Sequence, residues 1–295
     1  MTGFDIGPKH VGDGAPALIV AEVAQAHEGS LSLAHAYIDA IADAGADAVK
    51  FQCHIAEAES TPDEPWRVEP RWPEDNSRYD YWKRMEFDRD QWWSLQAHAE
   101  ARGLVFLCSP FSVEAVKLLD PLVPAWKVAS GEITNGPLLE AISRTAKPVI
   151  LSSGMTTTDE MEGAMTWFGA KAMLHCVSEY PTRPEHVGVW TVYEWQHYRD
   201  WHPVGLSDHS GTIWPSLAAV TLGASIVEVH VKLSPHDHGF DASSSITIED
   251  LARLVEGVRF IEKAKRPVDK DAMARELAPM RALFMDRHKR KAAIA

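Results

Sequence analysis

The feature that most restricts the fold is a rhythm. Between residues 17 and 265, short apolar runs alternate with longer stretches of helical periodicity. The apolar runs fall at 17–22, 47–52, 104–108, 125–129, 148–151, 172–176, 203–206 and 225–230. The helical stretches fall at 31–44, 90–102, 112–119, 137–145, 158–168, 189–199, 213–222 and 248–265. Strands that alternate with helices pair in parallel, because each helix returns the chain to the same edge of the sheet. Eight such units in about 250 residues predict a closed α/β TIM barrel, (β/α)8. An open doubly wound sheet is the competitor, but it would want a glycine-rich dinucleotide loop after the first strand, and none is there. The expected organisation is an N-terminal arm or hairpin over residues 1–16, a catalytic barrel over 17–266 and a C-terminal extension over 267–295.

A barrel carries its active residues at the C-terminal ends of the strands and in the loops that follow. Those ends hold Glu22, Lys50 with Gln52, Ser109, Lys127 with Ser130 and Glu132, Ser152 with Ser153, Ser178 with Tyr180, Ser207 with His209, and Glu228 with His230. The opposite ends are mostly Ala, Pro, Leu and short acidic turns. In a strand, residues two apart share a face, so Ser207 points with His209 and Glu228 with His230. The segment between the two histidines is helical, which puts both strand ends at one edge, where two neutral imidazoles suit a divalent transition metal. The plainer reading has each imidazole capping its own strand. Lys50 and Lys127 lie in otherwise apolar strands, where a lysine is expensive unless it meets an anion. Ringed by serine hydroxyls, the pair reads as a phosphate or carboxylate cradle, with Glu22, Glu132 and Glu228 available for proton transfer or for orienting metal, water or sugar hydroxyls.

Composition narrows the partners. A net charge of −13 argues against nucleic acid, so an anionic substrate would need a local positive pocket. No apolar run approaches a membrane span, and the N-terminus lacks a signal-peptide pattern. Cys53, Cys108 and Cys176 are odd in number and far apart, which predicts reduced, buried thiols in a cytoplasmic protein.

The same residues carry a resemblance. Ala21-Glu22-Val23, His27-Glu28-Gly29-Ser30 and Ala44-Gly45-Ala46-Asp47-Ala48-Val49-Lys50-Phe51-Gln52 are similar to the opening of the sialic acid synthase (N-acetylneuraminate synthase) family. Ser109-Pro110-Phe111, Lys127-Val128-Ala129-Ser130-Gly131-Glu132-Ile133-Thr134-Asn135 and Pro148-Val149-Ile150-Leu151-Ser152-Ser153-Gly154-Met155 continue it. His175-Cys176, Ser178-Glu179-Tyr180-Pro181, Gly205-Leu206-Ser207-Asp208-His209-Ser210, Glu228-Val229-His230 and Gly239-Phe240-Asp241 complete a collinear match over about residues 15–265. The resemblance implies a metal-dependent condensation of phosphoenolpyruvate with the open-chain aldehyde of an N-acyl hexosamine, giving a nine-carbon 2-keto-3-deoxy acid and phosphate. It implies that His209 and His230 hold the metal, typically Mn2+, with Mg2+ or Co2+ as substitutes. Lys50, Ser109, Lys127, Ser130, Ser152, Ser178 and Ser207 would hold phosphoenolpyruvate; Asn76, Glu132, Tyr180 and Asp241 would hold the sugar, with Gln52 also at the substrate. Glu22 and Glu228 would lie beside the reacting centre, and a homodimer or higher oligomer is expected.

Several positions depart from the family pattern. Ala24 and Ala26 replace a glycine and an asparagine of the opening motif, and Ser178 stands where some members have Asn. Residues 276–281 resemble the linker into the family's C-terminal antifreeze-like domain, which this chain is expected to lack because it ends at Ala295. In the family that domain lends an arginine to the partner's sugar site. The connection over 53–89 is long and rich in tryptophan, including Trp66, Trp72 and Trp82, and reads as a lid or subunit contact. His236-Asp237-His238 reads as a solvated loop before a second metal site, and His288-Lys289-Arg290-Lys291 as a solvated tail. Two other functions fit the residues less fully: a metal-dependent pyruvate aldolase or lyase, and a non-catalytic barrel that partners a complete synthase.

Overall fold

The structure is a computed structural model that describes residues 3–12, 14–66, 75–199, 201 and 203–284. It opens with an antiparallel hairpin of β1 (Phe4–Ile6) and β2 (Lys9–Val11). The barrel strands are β3 (Leu18–Ala24), β4 (Ala48–Cys53), β5 (Val105–Pro110), β6 (Trp126–Val128), β7 (Val149–Ser152), β8 (Ala172–Cys176), β9 (Val204–Asp208) and β10 (Ile226–Lys232). Hydrogen-bonded neighbours run β5-β4-β3-β10-β9-β8-β7-β6, every pair parallel. The last strand therefore pairs with the first, and β5 and β6 lie side by side at the one seam without a ladder. The barrel expected from the alternation is present and nearly closed.

Helices α1 (Leu31–Asp43), α2 (Ala56–Glu59), α3 (Arg78–Met85), α4 (Arg89–Ala101), α5 (Val113–Leu119), α6 (Gly136–Ser143), α7 (Thr158–Phe168), α8 (Trp190–Tyr198), α9 (Trp214–Thr221) and α10 (Ile248–Ala264) follow the strands. Local chemistry starts them where the sequence does. Ser30, Asp88, Thr157 and Thr247 each accept an N–H of the first turn, and Gln91 and Glu160 return the bond to complete capping boxes. A two-residue strand β11 (Ile246–Thr247) adds to β10, and an exposed helix α11 (Lys270–Glu276) follows the barrel. Neither short element was expected from the sequence. The connection between β4 and α4 is also more structured than a loop, since it contains α2 and α3. Trp72 and the basic tail after residue 284 lie outside the described residues. Among the described residues, no helix is long and apolar enough to cross a membrane.

The two faces of each strand do different work. Residues such as Ile19, Val49, Phe51, Phe106 and Val227 pack outward against Tyr37, Ile41, Trp92, Leu95 and Leu254 of the helices. Inward, Leu18, Val20, Ala48, Val105, Leu107, Ala125, Ile150, Ala172, Leu174 and Ile226 form a separate apolar cluster inside the barrel. Ile6 and Val11 join that inner cluster, so the N-terminal hairpin is a plug for the barrel floor. Asp47 fastens the floor from below: its carboxylate accepts the Ile19 N–H at 2.9 Å and pairs with Lys9 at 2.8 Å and Arg259 of α10 at 2.5 Å. The three cysteines are buried free thiols.

Gly205 takes an inward position on β9 where the barrel has no room. A Cβ there would stand 2.3 Å from the Ile226 carbonyl oxygen and 2.7 Å from Leu174 Cδ2. Gly205→Ala is expected to destabilise the fold by about 1–3 kcal/mol, as overpacking of a filled core does. Chemical denaturation of the two proteins measures the difference.

Candidate active site

Each inward row of the barrel ends in a polar residue above the apolar layers. On β3 the row is Leu18, Val20, Glu22; on β10 it is Ile226, Glu228, His230, with His230 opposite Glu22 in register. On β4, Lys50 stands beside Glu22, and on β9, Ser207 stands beside Glu228. The floor thus supplies a dry base and the strand ends a polar lid of chemistry.

Four charges form the centre. Lys50 pairs with Glu22, and its ammonium lies 3.5 Å from Glu228 Oε1; Lys127 lies 3.4 Å from the same oxygen. All four side chains are at most 5% exposed. Lys50 also donates to Ser109 Oγ at 3.2 Å and Lys127 to Ser152 Oγ at 2.7 Å, while Ser207 donates to Glu228 Oε1 at 3.0 Å. Burial works against charge on Lys50, Lys127 and Glu228, and the partners decide the outcome. For Lys50, burial is overcome by Glu22 and Glu228, so its pKa lies above the ordinary lysine value. For Lys127, burial wins over Glu228, and the Lys50 charge adds to it, so its pKa is lowered. Glu228 resists burial through Lys127, Lys50 and His230 and is held down at about 2. Two lysines and two carboxylates flanked by hydroxyls make a preformed charged cluster, whose ammonium groups are where an anion could bind.

Beside it stand the two imidazoles. The His209 and His230 rings are 5.1 Å apart between centroids and tilted by 57°. The Val177 carbonyl lies 2.9 Å from His209 Nδ1, which fixes the hydrogen there and leaves Nε2 as the free lone pair. Burial, then the neighbouring His230, push the His209 pKa down to about 3, so the ring is neutral. A carbonyl on the far nitrogen and a neutral ring are what a metal-bound imidazole requires. Among the described residues no group of three or more His, Cys, Asp and Glu is arranged to hold a metal. The pair would therefore supply two ligands and leave the remaining positions to water and substrate. Tyr180 covers His209 with its ring at 4.3 Å, and Asp241 Oδ2 lies 3.7 Å from His230 Nδ1.

The mouth opens into a cavity of about 640 Å3. Gln52, Ser130, Glu132, Tyr180, His230 and Asp241 line it, so one of the two imidazoles and most of the expected sugar residues share one space, with Lys50 two residues before Gln52 on β4 and Glu228 two before His230 on β10. Ser178 meets Ser130 at 2.9 Å over Gly154, and Ser130 lines the cavity. Asn76 is not brought there. It stands exposed just before α3 and does not line the cavity. Asn135 does, donating to Glu132 Oε2 at 2.6 Å while its own oxygen caps α6. The sequence showed Asn135 inside a motif but gave no sign that the chain turns it inward. Also unforeseen were Gln25, His54, Tyr81 and Phe240 in the walls. The His236-Asp237-His238 segment is held by Asp237, which accepts from Tyr37 and from the Ser234 N–H. His175 bonds the Val187 carbonyl at 2.8 Å and is structural.

Residues 37–270 match the NeuB family. Over 279 residues the chain is 34% identical to the N-acetylneuraminate-9-phosphate synthase of Homo sapiens, covering 92% of this chain and 76% of that one. It is 36% identical over 260 residues to the N,N'-diacetyllegionaminic acid synthase of Campylobacter jejuni, covering 84% of this chain and 77% of that one. The crystal structure of a sialic acid synthetase from Leptospira borgpetersenii in complex with citrate has a TM-score of 0.81 and 30% identity, covering 95% of this chain and 96% of that one.

Two outcomes follow from the geometry. Glu228 is ionised in the folded protein down to about 2, against 4.5 for the free side chain. Its pKa is depressed, so the stability it contributes is present above about 4.5 and is lost as pH falls toward 2. Acid unfolding curves of Glu228→Gln should lack that loss, and a curve parallel to wild type would refute the assignment. Gly154→Ala would set a Cβ 2.1 Å from Ser130 Cβ and 2.5 Å from Ser178 Oγ, displacing both hydroxyls. Binding of an anionic ligand, read by calorimetry, should weaken while the barrel still melts cooperatively.

Proposed function

Because the chain belongs to the NeuB family, we propose that it condenses phosphoenolpyruvate with the open-chain aldehyde of an N-acyl hexosamine. The products are a nine-carbon 2-keto-3-deoxy acid of the sialic acid type and inorganic phosphate. The observation that carries this reading is the paired lysine site, Lys50 with Ser109 and Lys127 with Ser152. In it Lys50 lies one inward step below Gln52 and Lys127 meets Glu228, one step below His230, while Gln52 and His230 line a cavity with Glu132, Tyr180 and Asp241. A dianionic phosphate and a carboxylate need two buried cations, and a sugar needs the polar wall opposite them.

Lys50 and Lys127 would hold the phosphate and carboxylate of phosphoenolpyruvate through charge-assisted hydrogen bonds, with Ser130, Ser178 and Ser207 completing the cradle. Its methylene carbon would then face the aldehyde held by Glu132, Tyr180 and Asp241. A divalent cation such as Mn2+, bound through His209 and His230, would supply Lewis acidity to the aldehyde oxygen. Attack by the methylene carbon forms the new C–C bond and leaves a cationic C2. Water adds there, and the tetrahedral carbon then expels phosphate to leave the 2-keto acid. Glu22 is suited to orient that water: it sits at the mouth, and its Oε1 has no hydrogen-bond partner among the described residues. None of these steps needs a cofactor beyond the cation.

Phosphate release from phosphoenolpyruvate in the presence of Mn2+ and N-acetylmannosamine tests the reaction, with mass spectrometry of the product. Release without sugar, or cleavage of a keto acid to pyruvate without phosphate, would favour a pyruvate lyase instead. Lys50→Ala and Lys127→Ala should each weaken phosphoenolpyruvate binding by roughly 1.5–3 kcal/mol, the worth of a charge-assisted contact. Unchanged affinity in both, by titration calorimetry, would place the phosphate site elsewhere.

A further inference from the structure

The wall of the cavity that comes from the β4–α4 connection holds an arrangement with no part in the steps above. His54 lies between the rings of Trp82 on α3 and Phe111 after β5, with centroids 3.8 and 4.0 Å away and planes within 22° and 23°. Its Nδ1 is 2.7 Å from Glu59 Oε2, and the other oxygen of Glu59 accepts the Ile55 N–H at 2.7 Å. Its Nε2 is 3.4 Å from Gln52 Oε1. The side chain is buried yet lines the cavity, as Gln52 does.

Both faces of the imidazole and one of its nitrogens are thus taken, and the ring has one orientation. A carboxylate at Nδ1 only accepts, so Nδ1 carries hydrogen and Nε2 is the remaining polar atom. What Nε2 meets is the Gln52 amide. A neutral ring accepts there, takes the amide N–H2, and turns the Gln52 oxygen to the cavity. A protonated ring donates, holds the amide oxygen, and turns the N–H2 to the cavity. Either way the amide is fixed at one end and offers the other. A glutamine without such support would have to be ordered when ligand binds, at a cost in affinity.

We infer that His54, oriented by Glu59 and clamped by Trp82 and Phe111, is a positioning residue that fixes the Gln52 amide for a hydroxyl or acyl group of the acceptor sugar. The inference rests on the reading above that this cavity takes an N-acyl hexosamine. His54→Phe keeps the stack and removes both nitrogens, and Gln52→Ala removes the group being positioned. Turnover is followed by phosphate release, and sugar binding by calorimetry of the full chain with phosphoenolpyruvate and Mn2+, using N-acetylmannosamine as the probe.

His54→Phe should raise the KM and Kd for the sugar about tenfold, one hydrogen bond's worth, with the KM for phosphoenolpyruvate and kcat within about twofold. Gln52→Ala should do the same, and the double variant should be no worse than either alone, because the two act as one unit. Glu59→Gln, which keeps an acceptor for Nδ1, should recover part of the affinity lost in Glu59→Ala. Additive losses, an effect that falls on phosphoenolpyruvate or on kcat, or unchanged sugar affinity in a well-folded His54→Phe would overturn the inference. So would a wild type that binds no N-acetylmannosamine. Sugar binding without phosphate release would instead defeat the proposed reaction, and the binding measurements would still decide the role of His54.

Discussion

The bridged ion cluster of Lys50, Glu22, Glu228 and Lys127 is the constraint on which the rest of the structure depends. Four charges at most 5% exposed are tolerated only as a set. Removing one leaves a buried partner unpaired, which costs about 3–5 kcal/mol. The set can exist because three adjacent strands, β4, β3 and β10, turn Lys50, Glu22 and Glu228 inward, with Lys50 opposite Glu22 and Glu228 one inward step below His230, and Lys127 reaches Glu228 from β6. A one-residue slip of any of these strands would turn its charge outward into the helix layer. The cluster therefore penalises wrong register as strongly as the apolar layers beneath it favour the right one. It also holds both lysines in place through their carboxylate partners.

Much of this was legible in the sequence because a parallel barrel obeys a period of two. Glu22, Lys50, Lys127, Glu228, His209 and His230 follow apolar runs, and the strand period alone assigns them to one mouth. The eight strands and the helices after them appear where the alternation placed them, with boundaries shifted by a few residues. The hairpin over the first residues was also visible, but not its use. Nothing in Ile6 or Val11 says that they enter the barrel floor, since that depends on where the hairpin lands in space.

The connections were less legible, for the same reason. A strand end has one direction; a loop residue has as many as its neighbours allow. Asn76 and Asn135 both follow structure-breaking sequence, yet Asn76 ends exposed and Asn135 faces the cavity. The difference is the short turn over Ser130–Glu132, which carries Asn135 back to cap α6 and leaves its amide N–H2 on Glu132. Ser77 instead starts α3 by capping it, and that places the preceding residue on the outside. His54 was hidden in a different way. Its role comes from rings that lie 28 and 57 residues further along the chain, which no local pattern relates to it.

Strand ends and connections thus divide the site in two. The anion cradle and the imidazole pair stand on the barrel itself, where each side chain is fixed by register and by packing on both sides. The opposite wall is built from the β4–α4 connection, and its attachment is different in kind. Arg84 on α3 reaches the Glu28 carboxylate at 3.2 Å and Asp75 at 2.8 Å, and Glu86 accepts the Ala56 N–H at 2.7 Å. These polar ties are part-exposed, individually weak and screened by salt, and they act beside the buried Tyr81, Met85 and Phe87 of the same connection. The barrel can keep its register, and with it the cradle, while the residues of that connection change. A half built on register is fixed by the barrel, whereas a half carried by a connection can change its side chains without disturbing that register. On this architecture, differences between chains of this kind in the accepted sugar should reside in the connections, and the handling of the anion in the strands.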